Sequence, residues 1–250
     1  MAMRKSPLIV LLTDFGESEY VGIMKGVIIS LSPTSRIVDL THSIRPQSVR
    51  EGAWVLLNAF TEFPRNTIFV CVIDPGVGTE RDSVYVRTEN YSFIGPDNGL
   101  MYPAVIHDGI KSISTLVVEN DASKTFHGRD VFARAAGYMG RGQAGQVLGG
   151  FKPELSVKLE FPLRERDGIV VRIDRFGNII TNIPHANSKE YRIETSDLKW
   201  DLNWYPTYSE GPDEGLFLVT GSYDTLEIAV KNASAVEELR LSVGQNIRIE

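Results

Sequence analysis

Three apolar runs mark the first third of the chain: LIVLLTD at 8–14, RIVD at 36–39 and TIFVCVID at 67–74. Each is rich in β-branched residues and each ends in an aspartate, which reads as a set of parallel strands. Between the first two runs, Val21, Met24, Val27, Ile28 and Leu31 recur at helical spacing, and VREGAWVLLNAF supplies a second helix before the third run. The order β-α-β-α-β predicts a right-handed, doubly wound α/β sheet whose strand carboxyl ends share one edge. Ligands bind at that edge. Asp14, Asp39 and Asp74 are therefore site candidates by position, although an aspartate at a strand end also caps helices and forms turns; for each taken singly, the cap is the default reading.

The pattern continues through strands SVYVR and SFIG, a turn at PDNG, a strand at SISTLVV and a helix through RDVFARAAGYMG. This closes an α/β domain over residues 1–150. The stretch GGFKPELSVKLEFPLRER carries Gly and Pro without a helical period, and its residues 151–166 read as a linker. From 167 to 250 the pattern changes to short runs separated by turn signals: GIVVRID, LFLVTG, TLEIAV and NIRIE, with SAVEELR as the one helical stretch. A smaller antiparallel β-barrel or sandwich is expected there.

Composition narrows the class. A chain of 250 residues with a formal net charge of −6 and no extended Lys/Arg cluster lacks the basic surface that phosphate backbones demand. Nucleic acid is excluded as a partner on that ground. The opening MAMRKSPLIVLLTDFG reads as a first strand rather than a signal peptide, since an acid and a glycine follow the apolar run. No apolar stretch approaches the roughly 20 residues needed to cross a bilayer. With its lone Cys71 inside a buried strand, the chain reads as a cytoplasmic protein without disulfides, and Cys71 as a core residue.

The chemistry-bearing segments each admit two readings. TDFG at 13–16 lacks the loops that accompany the kinase magnesium motif, and no Gly-rich phosphate fingerprint follows the first strand. A carboxylate at that strand end points instead to a ribose, because Asp14 can accept hydrogen bonds from both sugar hydroxyls. In IDPGVGTER (73–81), Pro and two Gly make a tight turn that returns Arg81 toward Asp74. A structural clamp explains that pair as well as catalysis does. TFHGRD (125–130) places His127 just before a helix beside a glycine, whereas a lone loop histidine is more often a cap or a surface residue. His42 in DLTHSIRP keeps that plain reading, and His107 and His185 show no pattern. In RIDRFGNIITNIP (172–184), Asn178 could read a purine edge, or the segment could be a plain β-turn. No His, Asp or Glu spacing matches a metal cage, so no metal is expected.

Taken together, LLTDFG, DLTHSI, IDPGVGTER, GPDNGL, TFHGRD and IDRFGNIITNI, in this order and spacing, resemble the S-adenosylmethionine hydroxide adenosyltransferase family, relatives of the bacterial fluorinase and chlorinase. The resemblance covers nearly the whole chain. It implies an N-terminal α/β domain, a C-terminal β-barrel, a homotrimer with sites between subunits, no cofactor, and conversion of S-adenosylmethionine to adenosine and L-methionine. Asp14 then matches the acid that grips the ribose, and Asp74, Arg81 and His127 match the water-activating set. Asp174, Phe176 and Asn178 match positions that hold the methionine amine, sandwich the adenine and read its edge. Ser222 matches a contact to the methionine part, and Asn232 and Ala233 the backbone that meets adenine.

The halogenating relatives differ at several of these positions. They carry a tryptophan where this chain has Gln47, an arginine where it has Tyr223, an aromatic residue in place of Asp74, a tyrosine in place of His127 and a serine in place of Gly128, with an inserted loop after the third strand. The halide pocket is accordingly expected to be absent. Two other classes fit the strand-end acids: a non-catalytic adenosine or S-adenosylmethionine binding protein, and a metal-dependent phosphohydrolase.

Overall fold

The computed structural model describes residues 6–196 and 198–250; Arg4 and Lys5, the two cations at the head of the chain, lie outside them. The chain divides into two compact units, with the division between Leu159 and Glu160.

The first unit is built on β1 (Leu8–Thr13), β2 (Arg36–Thr41), β3 (Ile68–Val72), β4 (Ser83–Thr88), β5 (Ser92–Pro96), β6 (Ile110–Leu116) and β7 (Leu148–Lys152). They form one sheet in the order β2-β1-β3-β5-β4-β6-β7. β1 pairs in parallel with both β2 and β3, and β3 with β5, while β4, β6 and β7 are antiparallel to their neighbours. β3 is buried at every position, as an interior parallel strand covered on both faces must be. β2, at the edge, is largely exposed and carries Arg36 and Asp39, charges that discourage pairing with another chain. β7 draws Phe151 and Lys152, the first two residues of the expected linker, into the sheet as its other edge, a strand whose Gly149 and Gly150 conceal it in the sequence.

Helices α1 (Glu19–Leu31), α2 (Val49–Ala59), α3 (Tyr102–Asp108) and α4 (Arg134–Gly140) accompany this sheet. Val21, Met24 and Ile28 turn one stripe of α1 onto Ile9, Leu11, Val70 and Val72, and Ala135 and Ala136 of α4 join the same core. A second layer is aromatic: Phe69 and Phe93 stack at 5.1 Å, with Phe60 and Tyr91 edge-on to Phe93. Cys71 is fully buried in β3, and burial pushes its thiol well above the usual range, which suits a packing role. The helix expected through RDVFARAAGYMG is not uniform. Gly128–Ala133 winds as a π-helical turn before α4, and such wide turns occur mostly at functional sites.

The second unit holds β8 (Asp167–Ile173), β9 (Ile179–Pro184), β10 (Glu190–Glu194), β11 (Lys199–Asn203), β12 (Leu216–Thr220), β13 (Thr225–Val230) and β14 (Asn246–Ile249), with α5 (Ala235–Leu239). The strand order is β11-β10-β14-β8-β9-β13-β12, antiparallel throughout. The Tyr205 amide just beyond β11 donates to the Leu218 carbonyl of β12 at 2.8 Å, and Trp204 bridges the same residue, so the sheet nearly closes into a barrel. Its interior is filled by Val170, Ile179, Ile193, Leu218, Leu226 and Ile228, with Ala235 and Leu239 of α5 in the same cluster.

Candidate active site

In the first sheet the chain runs from β1 outward to β2 on one side and then returns to β3 on the other. The carboxyl ends of β1 and β3 therefore flank the point where the winding reverses, and a crevice opens there for topological reasons. A cleft of about 670 Å³ lies at this place, lined by Asp14, Gln47, Asp74, Phe126 and His127 among others. Of the three aspartates expected at strand ends, Asp14 and Asp74 reach it, whereas β2 runs on to Thr41 and leaves Asp39 inside the strand, opposite Leu11. Asp39 is not in its wall: Lys25 Nζ lies 2.5 Å away and His42 Nε2 3.0 Å away, and these two partners take its carboxyl below the ordinary value despite burial.

Asp14 is held from the backbone side. The Gln47 amide donates to Asp14 Oδ2 at 2.7 Å, and Gln47 adopts a left-handed φ of 65°, a conformation uncommon outside glycine and asparagine. The turn itself is pinned by the DLTHS segment. Gly16 N donates to the His42 carbonyl at 2.8 Å, His42 Nδ1 is bonded to Thr13 Oγ1 at 2.9 Å, and Thr13 Oγ1 accepts from Phe15 N at 3.2 Å. His42 thus serves a structural role, fixing the turn that presents Asp14.

Arg81 returns to Asp74 as a side-on fork. Its Nε donates to Asp74 Oδ1 at 2.9 Å, and Nη2 donates to Asp74 Oδ2. Nη2 also meets His127 Nδ1 at 3.0 Å, while Nη1 donates to Ser83 Oγ at 2.8 Å and, at 3.4 Å, to the Asp82 carbonyl. The guanidinium carbon lies 5.5 Å from the centre of the Phe132 ring. The loop between β3 and β4 is brought to His127 by one glycine. Gly78 has φ +77°, and a Cβ there would run into the backbone carbonyl of Lys124, so only glycine lets the 74–81 turn lie against the 123–127 segment.

His127 is 7 % exposed. Burial first, and then the Arg81 charge, lower its pKa from the ordinary imidazole value, against the opposing pull of Asp74 and Asp130. A group with a lowered pKa stays neutral further into acid and charges only as pH falls through the lowered value. If turnover needs neutral His127, the acid limb of kcat lies below about pH 6.5. A pH–rate profile checks this; an acid limb above that value would assign it to another group.

Three aromatic rings not singled out by sequence reasoning complete the wall: Phe15, Tyr20 and Phe126, with centroids 4.8–6.1 Å apart. Their signal was present in part, since Phe15 and Phe126 sit inside the TDFG and TFHGRD motifs. Among the described residues, no three of His, Cys, Asp or Glu gather into a group that could hold a metal ion, and no helix is long and apolar enough to cross a membrane.

The second unit has its own cleft, about 830 Å³, which brings together Asp174, Phe176, Asn178, Asn232 and Ala233. Asp174 shapes it: Oδ1 accepts from Phe176 N at 2.8 Å and Asn178 N at 2.9 Å, and Oδ2 accepts from Asn178 Nδ2 at 3.0 Å. The turn requires Gly177, whose φ is +84° and whose missing Cβ makes room for the side chain of Ser234. Phe176 is left 61 % exposed, an aromatic face open to a flat ligand, with the Arg175 guanidinium 4.6 Å from its centre. Ser222 is not in this wall; it stands exposed in the β12–β13 turn. Sequence reasoning missed Tyr208, Lys231 and Glu237, which do line the cleft. The Tyr208 hydroxyl donates to buried Glu227 at 2.6 Å, and Lys231 pairs with Asp213 at 2.7 Å.

Comparison with known proteins decides what these clefts belong to. Residues 9–149 match the model of the SAM hydroxide adenosyltransferase N-terminal domain, and residues 168–248 match that of its C-terminal domain. The chain belongs to the SAM hydroxide adenosyltransferase family. It is 34 % identical over 252 residues to the (R)-S-adenosyl-L-methionine hydrolase of Thermus thermophilus, covering 95 % of this chain and 97 % of that protein. It is 42 % identical over 185 residues to the protein of the same name from Methanocaldococcus jannaschii, covering 70 % of this chain and 66 % of the relative. Among solved structures, an uncharacterized conserved protein from Thermotoga maritima superposes with a TM-score of 0.84 at 31 % identity, over 97 % of this chain and all of the other.

Proposed function

We propose that this member of the family hydrolyses S-adenosylmethionine to adenosine and L-methionine, with water attacking the ribose 5′ carbon in line with the C–S bond. The observation that carries the reading is the cluster of Asp74, Arg81 and His127, whose Asp74 and His127 open onto the same cleft as Asp14. Asp14 anchors the ribose hydroxyls, and what remains for catalysis is to aim a poor nucleophile at a carbon whose sulfonium is already a good leaving group. In the assembly, the C-terminal cleft of a neighbouring subunit takes the rest of the ligand: Phe176 stacks on adenine, Asn178 reads its edge, the backbone at Asn232 and Ala233 meets it, and Asp174 holds the methionine amine. Ser222 contacts the methionine part from the neighbouring turn. No cofactor or metal takes part, and the enzyme works in the cytoplasm as a homotrimer with sites completed between subunits. Light scattering tests the assembly, and a fully active monomer at assay concentration would refute it.

Reaction in water enriched with heavy oxygen tests the chemistry. Label is expected in the 5′ hydroxyl of adenosine and not in methionine, with no dependence on magnesium, and added chloride or fluoride is expected to give no halogenated nucleoside. Labelled methanol would mean attack on the methyl group, and free adenine would mean cleavage of the glycosidic bond. Tight binding without any product would leave a binding protein, and a strict need for magnesium would revive the phosphohydrolase reading.

A further inference from the structure

A guanidinium has five N–H donors and no acceptor. In this structure all five of Arg81 are spent on the protein: one from Nε and one from Nη2 on Asp74, the second from Nη2 on His127 Nδ1, and the two from Nη1 on Ser83 Oγ and the Asp82 carbonyl. The side chain is only 11 % exposed, lies against the buried Phe132, and is not part of the wall of the cleft that Asp74 and His127 line. Arg81 therefore has neither a free donor nor a place from which to hold a hydroxide.

The same bonds fix the state of the imidazole. Since Arg81 only donates, His127 Nδ1 must be the accepting lone pair, and a neutral ring then carries its proton on Nε2. Nε2 is the ring nitrogen for which the described residues provide no partner. Asp74, for its part, offers about four acceptor sites on two oxygens and gives two of them to Arg81.

We propose that Arg81 is a positioning residue, that Ser83 and Phe132 hold it in place, and that the nucleophilic water is bound by the Asp74 carboxylate and the His127 Nε2–H alone. Water donates one hydrogen to Asp74 and accepts one from His127, which leaves a lone pair directed at the 5′ carbon. As the C–O bond forms, the C–S electron pair returns to sulfur, neutralising the sulfonium as the thioether of methionine. The water proton passes to Asp74, which later releases it to solvent. His127 stays neutral throughout as a donor, and is not the base. This proposal rests on the hydrolytic reading given above and adds the division of labour within its cluster.

The test uses the full-length protein labelled with 15N-histidine, with the His127 signals assigned by comparison with His127→Gln. Long-range 1H–15N correlation near pH 8 is expected to show His127 protonated at Nε2 and bare at Nδ1. In Arg81→Lys, whose ammonium keeps the charge but loses the fork, the single tautomer is expected to give way to a mixture while kcat falls about 10²-fold with little change in KM. Ser83→Ala is expected to lower kcat several-fold at unchanged KM, and Ser83→Thr to restore it. A wild-type His127 protonated at Nδ1 would overturn the proposal. So would an Arg81→Lys that loses turnover while keeping the Nε2–H tautomer, for then Arg81 acts on the reaction directly. The tautomer is read without substrate, so a failure of the hydrolytic reading would appear in the products and leave these spectra unmoved.

Discussion

Asp74→Asn is expected to lose at least about 10²-fold in turnover, the lower end for removal of a general base, while substrate binding changes little. The side chain of Asp74 is 6 % exposed and sits at the centre of the cluster, forked by Arg81 and open to the cleft. Asparagine keeps the shape and one oxygen for the guanidinium but cannot take a proton from water. It also leaves part of the Arg81 charge uncompensated, so the thermal midpoint should drop. The remaining bonds of Arg81 to Ser83, Asp82 and His127 argue that the fold persists. Calorimetry of ligand binding, product chromatography and circular dichroism separate these effects. A well-folded Asp74→Asn with wild-type turnover would remove Asp74 from the mechanism.

Gly78→Val is expected to reduce turnover by a comparable factor without touching any group that meets the substrate. The left-handed φ of +77° alone costs of order 1–3 kcal/mol for a side chain, and β-branching makes it worse. The added Cβ would strike the Lys124 carbonyl, and the only relief is to move the 74–81 turn away from the segment that carries His127. A displacement near 1 Å at such a cluster costs about 10²-fold in rate. Arg81 would then lose its contact with His127, now 3.0 Å, while Asp14 on the other side of the cleft keeps its bond to Gln47. Binding of adenosine should therefore survive where turnover does not. Equal losses in both would show that the variant disturbs the whole cleft rather than the turn.

Much of the first unit was legible because its signals are local. Apolar runs of β-branched residues and a helical stripe specify β1, α1, β2, α2 and β3 through nearest-neighbour chemistry, and β-α-β order constrains how they can stack. β7 was not legible, since its glycines carry no strand propensity and only pairing with β6 holds it extended. The π-helical turn at Gly128–Ala133 was invisible for a related reason: a helical period of 3.6 and a wider turn differ by one residue, and packing against the sheet chooses between them. In the second unit the alternating runs announced short strands, but their order, with β14 inserted between β10 and β8, depends on pairings far apart in sequence.

For the site, the sequence by itself determined the residue types and their order: acids at strand ends, a Pro-Gly turn returning an arginine, a histidine before a helix, and an Asp-x-Phe-Gly-Asn turn. Motif spacing carried the family resemblance, and these are properties of the chain as written. What each residue does with its hydrogen-bonding capacity was decided only by tertiary structure. Asp14 follows the last residue of β1, while Asp39 lies inside the neighbouring parallel strand β2 opposite Leu11, so one faces the cleft and the other is consumed by Lys25 and His42. Arg81 reads in sequence as a partner of Asp74 in either a structural clamp or catalysis, and in the fold every one of its donors is already bonded. Hydrogen bonds are directional and each donor serves one acceptor well, so a side chain's role depends on which partners the fold has already placed around it.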